Sequence, residues 1–150
     1  MVINRMRYRM KEALCFFILM LVLITGCAGG NEFVKADLGQ KFSLHIGQTA
    51  QLQNEPLSIR FNGIAGDSRC PRGVTCFWAG VVKCDVVVTY QGSSFNITLT
   101  QPGADQSSET IYNEYRLIYS VEPYPEASKQ ISTAEYRLNL TVEKLPQSTD

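Results

Sequence analysis

Three cysteines near the middle of the chain are the residues whose chemistry needs an explanation first. Cys70 and Cys76 enclose the stretch CPRGVTC, and Cys84 follows in the run VVKCDVVV. Structural zinc is typically held by four Cys or His ligands in close pairs such as C-x2-C, whereas this spacing is C-x5-C and the only histidine is His45. Thioredoxin-like redox chemistry uses C-x-x-C at a helix N-terminus, which the spacing also does not match. We therefore expect no metal site and no cofactor.

A structural disulfide is the interpretation that fits this spacing. Pro71 and Gly73 permit a tight excursion between Cys70 and Cys76, and closing so small a loop stabilises a fold by about 2 kcal/mol on the entropic model. Pairing of Cys84 with either of the other two is ranked lower, because Cys84 alternates with valines on the apolar face of a strand, where a free cysteine packs as a small hydrophobe. The prediction is a Cys70–Cys76 bridge with Cys84 as a buried thiol.

The N-terminus has the pattern of a secretory signal. A cationic stretch, MVINRMRYRMK, precedes the apolar run ALCFFILMLVLI, which is short for a membrane-spanning helix of about 20 residues. The first 26 residues hold four of the 14 basic and one of the 14 acidic side chains, so the rest of the chain has a net charge of about −3. Nucleic acid is therefore not expected as a partner, because affinity for it depends on a clustered positive surface.

The residues that follow the apolar run resemble a lipobox. The stretch LITGCAGG, with Ile24, Thr25 and Gly26 before Cys27, is similar to the processing site of prokaryotic lipoproteins. The resemblance implies cleavage before Cys27, acylation of its thiol (diacylglycerol and palmitate-type chains) and anchoring in the cell membrane or the outer membrane, on the extracytoplasmic side. Export would place the other cysteines in an oxidising compartment, where disulfides persist.

The elements that position the cysteines are predicted to be strands. Apolar residues alternate with polar ones in six segments, and turn-forming residues separate the segments. The expected core faces include Phe42, Leu44, Leu57, Ile59, Phe61, Val82, Cys84, Val86, Val88, Phe95, Ile97, Leu99, Tyr115, Leu117, Tyr119, Val121, Leu138, Leu140 and Val142. A hairpin turn is expected at residues 91–93, and the polar stretch at 101–114 is predicted to be the longest loop.

These patterns predict one all-β domain, an antiparallel β-sandwich or a partly closed barrel of about six to eight strands, after an N-terminal signal helix. Order is expected to begin near Phe33. The predicted divisions are a signal peptide (1–26), a flexible tether (27–40), the β domain (41–145) and a disordered tail (146–150).

The centre of the chain resembles a second family. DSRCPRGVTCFWAG, followed by a valine-rich strand and later by PYP and YRLNLTV, is similar to small secreted or lipid-anchored prokaryotic proteins with a D-S-R-C-P-x4-C-x-W-A-G centre. The resemblance covers roughly residues 41–144. It marks Asp67, Arg69, Cys70, Cys76, Trp78 and Gly80 as the family's signature but implies no activity, and Cys84 falls outside the pattern.

A binding surface is predicted around this signature. Trp78 is interpreted in two ways: as a plug packed under the disulfide loop, which is favoured, or as an exposed anchor with Arg69 and Arg72 near it for cation–π contact or anion capture. Asp67 is expected to accept backbone N–H groups in a turn, with Arg69 paired to it. Tyr124, beside a proline-rich connection, completes the predicted surface.

The overall expectation is a non-enzymatic, monomeric, membrane-anchored binding or envelope-structural module with an unknown protein or small-molecule ligand. Serine hydrolase chemistry needs a base beside the nucleophile, and His45 is the only histidine while G-x-S-x-G is absent. Two alternatives stay open. One is a protein-interaction or inhibitor module that acts through the disulfide loop, and the other is a thiol-redox protein that uses Cys70 and Cys76.

Overall fold

The computed structural model describes residues 33–103 and 106–146, and these residues form two packed β-sheets. The predicted signal peptide, Cys27 and residues 147–150 of the predicted tail lie outside the described residues. Within the described ranges there are nine strands and one 3₁₀ turn, Thr133–Glu135. The strands are β1 (Phe33–Ala36), β2 (Lys41–His45), β3 (Thr49–Leu52), β4 (Leu57–Asp67), β5 (Val81–Tyr90), β6 (Ser93–Pro102), β7 (Ser108–Tyr112), β8 (Tyr115–Glu122) and β9 (Arg137–Lys144).

The two sheets form a sandwich and do not close into a barrel. One sheet has the order β1-β3-β4-β5-β6 and the other the order β2-β9-β8-β7. The all-β sandwich prediction is confirmed, but the strands number nine rather than six to eight. The sheets are also not fully antiparallel, because β1 pairs with β3 in parallel.

Alternating burial explains why the longest strands lie where they do. On β5 the side chains of Val82, Cys84, Val86 and Val88 are fully buried, while the residues between them are exposed or partly buried. On β8 the same period buries Tyr115, Leu117, Tyr119 and Val121. A strand turns successive side chains to opposite faces, so each strand supplies one apolar stripe to the core between the sheets.

The β5–β6 hairpin closes with two residues rather than the three expected. Gln91 and Gly92 both have positive φ angles, 49° and 81°, as a tight type I′ connection requires. Phe95, expected on the core face of β6, has 51% of its surface exposed, so that assignment is wrong. The core side of β6 is formed by Ile97, Leu99 and Gln101, which lie further along the strand.

Two segments predicted to be irregular contain strands. Phe33–Ala36 forms β1 and Ala36 belongs to the buried core, so the predicted tether over residues 27–40 is wrong for its second half, and the domain begins at or before Phe33 rather than at 41. The predicted loop over residues 101–114 contains β7, which pairs with β8.

One end of the sandwich carries the sequence signature. There β4, β6 and β8 end and β5 and β9 begin, and we call this the loop end. Register shifts at Phe61/Gly63 and Ile64/Gly66 place β-bulges in β4 as it approaches this end. Bulges increase the twist of a strand and redirect its side chains, so they determine how Asp67, the last residue of β4, is presented.

Candidate functional site

The predicted disulfide between Cys70 and Cys76 is present. Their sulfur atoms are 2.13 Å apart and their Cα atoms 5.9 Å apart. The bridge lies in residues 68–80, which connect β4 to β5 and are called the stapled loop below. Cys84 is a free, fully buried cysteine, as expected. Burial, with a smaller contribution from the charge of Asp85, raises the pKa of its thiol to about 12, so it is not a thiolate at neutral pH.

The base of the stapled loop continues the β4–β5 ladder. The N–H of Ser68 donates to Val81 O at 2.8 Å and the N–H of Cys70 donates to Ala79 O at 2.9 Å. Gly80 has φ +71°, and a Cβ at that position would lie 1.8 Å from Ser68 O. Glycine is therefore required at position 80 both by its backbone conformation and by the close approach of the opposite strand.

A second backbone contact fastens the loop base to the end of β6. Gly103 donates its N–H to Gly80 O at 2.8 Å, and a Cβ at Gly103 would lie 1.9 Å from Ala79 O. The two backbone segments are thus in direct contact, with no space for a side chain at position 103. The sequence did not indicate this contact, because PG at 102–103 has the composition of an ordinary turn.

Arg69 is buried beneath the loop and connects the two sheets. Its side chain donates to both carboxylate oxygens of Asp67, from Nε at 2.9 Å and from Nη2 at 2.5 Å. It also donates to Val121 O and Pro123 O, each at 2.9 Å. Only 3% of Arg69 is exposed, so its prediction as a surface binding residue is wrong, whereas its predicted pairing with Asp67 is confirmed.

Asp67 is held as a carboxylate by its neighbours. It accepts from the backbone N–H of Arg69 at 3.2 Å, as expected for a turn acceptor, and from the hydroxyl of Tyr136 at 3.1 Å. Burial alone would raise the pKa of Asp67, but the hydrogen bonds and charge of Arg69, with the Tyr136 hydroxyl, lower it on balance. The carboxylate is thus committed to a structural network.

Tyr124 lies between two arginines. The guanidinium carbons of Arg69 and Arg72 are each 5.1 Å from the centroid of its ring, and its hydroxyl donates to Gly103 O. Arg72 is exposed and is tied to the connection after β8, because its N–H donates to Pro125 O at 2.9 Å. Of the four residues predicted for a binding surface, the structure brings together Arg69, Arg72 and Tyr124. The aromatic ring close to the two arginines is therefore that of Tyr124 and not that of Trp78.

Two aromatic side chains project from the stapled loop. Phe77 is 99% exposed and Trp78 is 73% exposed, and their rings meet edge to face with centroids 5.9 Å apart. Val74, on the other side of the bridge, is 49% exposed. The favoured interpretation of Trp78 as a packed plug is therefore wrong, and it is an exposed side chain. Phe77 was not singled out from the sequence, although the pair of adjacent aromatics after Cys76 was the signal for it.

A polar cleft of about 410 Å³ borders the loop. It is lined by Arg72, Glu122, Pro123, Tyr124, Lys129, Glu135 and Arg137. Its charges are mixed, and Lys129 Nζ is 2.8 Å from Glu135 Oε1. The hydrogen bond from Lys129, followed by those from Ser132, lowers the pKa of Glu135 to about 2. The lining carries three basic and two acidic side chains, and one of each is paired, so the cleft presents mixed charge to a ligand.

Metal-ligating side chains do not cluster in the part of the chain that the structure describes. Over residues 33–103 and 106–146, no cluster of three His, Cys, Asp or Glu side chains could hold a metal ion. His45 is exposed at the end of β2. What the loop end presents chemically is a rigid, disulfide-closed scaffold that displays apolar aromatic rings.

Comparison with protein-family models, with curated proteins and with solved structures found no match. Among the described residues, no helix has the length and apolar character needed to cross a membrane.

Proposed function

We propose that this chain is a lipid-anchored extracytoplasmic lipoprotein whose β domain is a non-enzymatic binding module, with the stapled loop as its contact surface. The exposed pair Phe77 and Trp78 is the observation that carries the proposal. Large aromatic side chains are enriched in binding hot spots, and exposing two of them on one loop leaves apolar surface in water unless a partner covers it.

The scaffold of the loop supports a binding role. The Cys70–Cys76 bridge and the buried Arg69 network hold the aromatic rings on a constrained backbone, so little conformational entropy is lost when a partner binds. The bridge also supports the proposed export, because disulfides persist mainly in oxidising compartments. The anchor itself is proposed from the lipobox-like sequence before Cys27.

The mass of the mature protein tests the anchor and the thiols together. We expect removal of residues 1–26, acylation of Cys27, one disulfide and one free thiol. Cys27→Ser is the matched control and should remain unacylated. A mature mass without lipid on Cys27 would overturn the proposed anchoring.

The redox alternative is tested with the same preparation, because Cys76 is an exposed residue. A structural bridge should not turn over a peptide disulfide in the presence of glutathione. Sustained turnover that Cys76→Ala abolishes would replace the binding proposal with a thiol-redox function.

A further inference from the structure

We propose that the partner of the stapled loop is the lipid bilayer itself, so that Phe77 and Trp78 form a second membrane contact beside the acylated Cys27. This inference rests on the proposed function and names the ligand of the same surface.

The loop has the composition of an interfacial membrane contact. Tryptophan and other amphipathic rings concentrate at the boundary between headgroups and acyl chains. Between Cys70 and Gly80 the only charged residue is Arg72, and its guanidinium lies over the ring of Tyr124. The side chains of Val74, Phe77 and Trp78 can therefore enter an apolar phase without taking a neighbouring charge with them.

The direction of β1 puts its N-terminal end on the side of the loop end. Phe33 lies level with Thr49 in the parallel β1–β3 pair, and Thr49 lies level with Arg60 in the antiparallel β3–β4 pair. Because β4 runs from Leu57 towards Asp67 at the loop end, β1 runs away from that end. The N-terminal end of β1 is therefore the end of that strand nearer the loop end.

The length of the connecting segment matches this geometry. Phe33 follows Cys27 by six positions, which gives a maximal reach of roughly 20 Å. From the level of Arg60 to the end of β4, the paired strand β5 advances from Val87 to Val82, a rise of about 17 Å. An extended connection would bring the acylated residue level with the base of the stapled loop, so both would meet the same bilayer surface.

The opposite end of the sandwich is the competing orientation. Phe95 and Ile111 are exposed there, near the β5–β6 and β7–β8 turns. To bring that end to the membrane, the short segment before Phe33 would have to reverse its direction. Their exposure makes these positions useful as controls, because a reporter at Phe95 should stay in water.

The experiment uses the acylated mature protein in phosphatidylcholine vesicles. Trp78, the only tryptophan in the chain, is the reporter. We expect a blue shift of its emission, protection from aqueous iodide and quenching by lipids brominated on their acyl chains. Zwitterionic lipid should suffice, because the proposed contact is apolar. The matched control is the double variant Trp78→Phe, Phe95→Trp, whose reporter should be quenched by iodide and not by brominated lipid.

The variant Phe77→Ser keeps the reporter and should lose most of the quenching by brominated lipid, since the loop then enters the bilayer less deeply. The side chains replaced in these variants, Phe77, Trp78 and Phe95, are all exposed, so the substitutions should leave the fold intact. Protein that floats with the vesicles while Trp78 stays accessible to iodide overturns this inference and leaves the proposed anchor standing. Shielding of Trp78 from iodide without quenching by brominated lipid also overturns the inference. If that shielding depends on protein concentration, a second copy of the chain covers the loop. Protein without lipid on Cys27 overturns the proposed anchoring and this inference together.

Discussion

The guanidinium of Arg69 donates two hydrogen bonds to the carboxylate of Asp67, where one sheet of the sandwich leads into the stapled loop. The same guanidinium donates to Val121 O in the other sheet. An arginine can do this because its planar fork presents several donors in fixed directions, which a lysine ammonium cannot reproduce. This one side chain therefore joins the end of β4, the end of β8 and the base of the loop.

Arg69→Ala should destabilise the fold strongly. The substitution leaves the Asp67 carboxylate partly buried without its cation and removes donors from Val121 O and Pro123 O. Breaking a buried pair from one side costs about 3 kcal/mol or more. Chemical denaturation measures the loss, and Arg60→Ala, which removes an exposed arginine from β4, is the control. Equal losses for the two variants would contradict the structural role of Arg69.

The Asp67 pair should make stability depend on pH in the acid range. The pKa of Asp67 is lowered in the folded state, so its contribution is fully present above the unfolded-state value of about 3.9 and is lost as the pH falls through the folded-state pKa. Asp67→Asn should therefore weaken the protein near pH 6 and flatten the fall in unfolding free energy below about pH 4. The measurement is a urea midpoint at each pH, with Asp85→Asn as the control for the loss of one negative charge. An unchanged acid slope in Asp67→Asn would count against the ion pair.

The sequence predicted the strands whose alternation is long and missed those whose pattern is short. The β5 and β8 faces were identified correctly because four apolar residues repeat at every second position in each. The segments FVKA, TAQL and SETIY have only four or five residues and mixed polarity, and they become β1, β3 and β7 through pairing with neighbours. Such pairing depends on tertiary context, which local pattern does not contain.

The candidate site was predictable where its partners are close in sequence. Cys70 with Cys76 and Asp67 with Arg69 are separated by six and two positions, and both pairs were expected. The contacts of Arg69 with Val121 and Pro123 span 52 and 54 positions, so nothing local indicated them. The exposure of Trp78 was mispredicted because a tryptophan is highly buried on average.

Gly103→Ala should be poorly tolerated although Gly103 precedes a surface stretch. A Cβ at this position would lie 1.9 Å from Ala79 O, so the chain must move and the base of the stapled loop loses its contact with β6. The expected loss of unfolding free energy is about 3 kcal/mol. Gly66→Ala is the matched control, because a Cβ there meets nothing within 4 Å, and it should change stability by less than about 0.5 kcal/mol. Thermal or urea unfolding gives the measurement, and equal stability of the two variants would contradict the close approach at Gly103.

The thiol of Cys84 should be unreactive in the folded protein. It is fully buried, and burial with the nearby Asp85 charge raises its pKa to about 12, so neither access nor thiolate is available at pH 8. A thiol reagent should label it only after denaturation, with one thiol per chain under non-reducing conditions once Cys27 is acylated. Cys84→Ala is the control for background labelling. Rapid labelling of the native protein would contradict the buried position in β5.

Removal of the disulfide should weaken the domain without unfolding it. The double variant Cys70→Ala, Cys76→Ala removes a cross-link between positions six apart. The entropic model gives a loss of unfolding free energy of about 2 kcal/mol. The base of the loop should persist, because its ladder hydrogen bonds and the Arg69 network do not involve sulfur. Urea unfolding with and without reductant gives the measurement: reductant should lower the midpoint of the wild-type protein to that of the variant and leave the variant unchanged. If the reduced wild-type protein kept its urea midpoint, the bridge would contribute nothing to stability. The bridge would then no longer explain how the loop that carries Phe77 and Trp78 is preorganised.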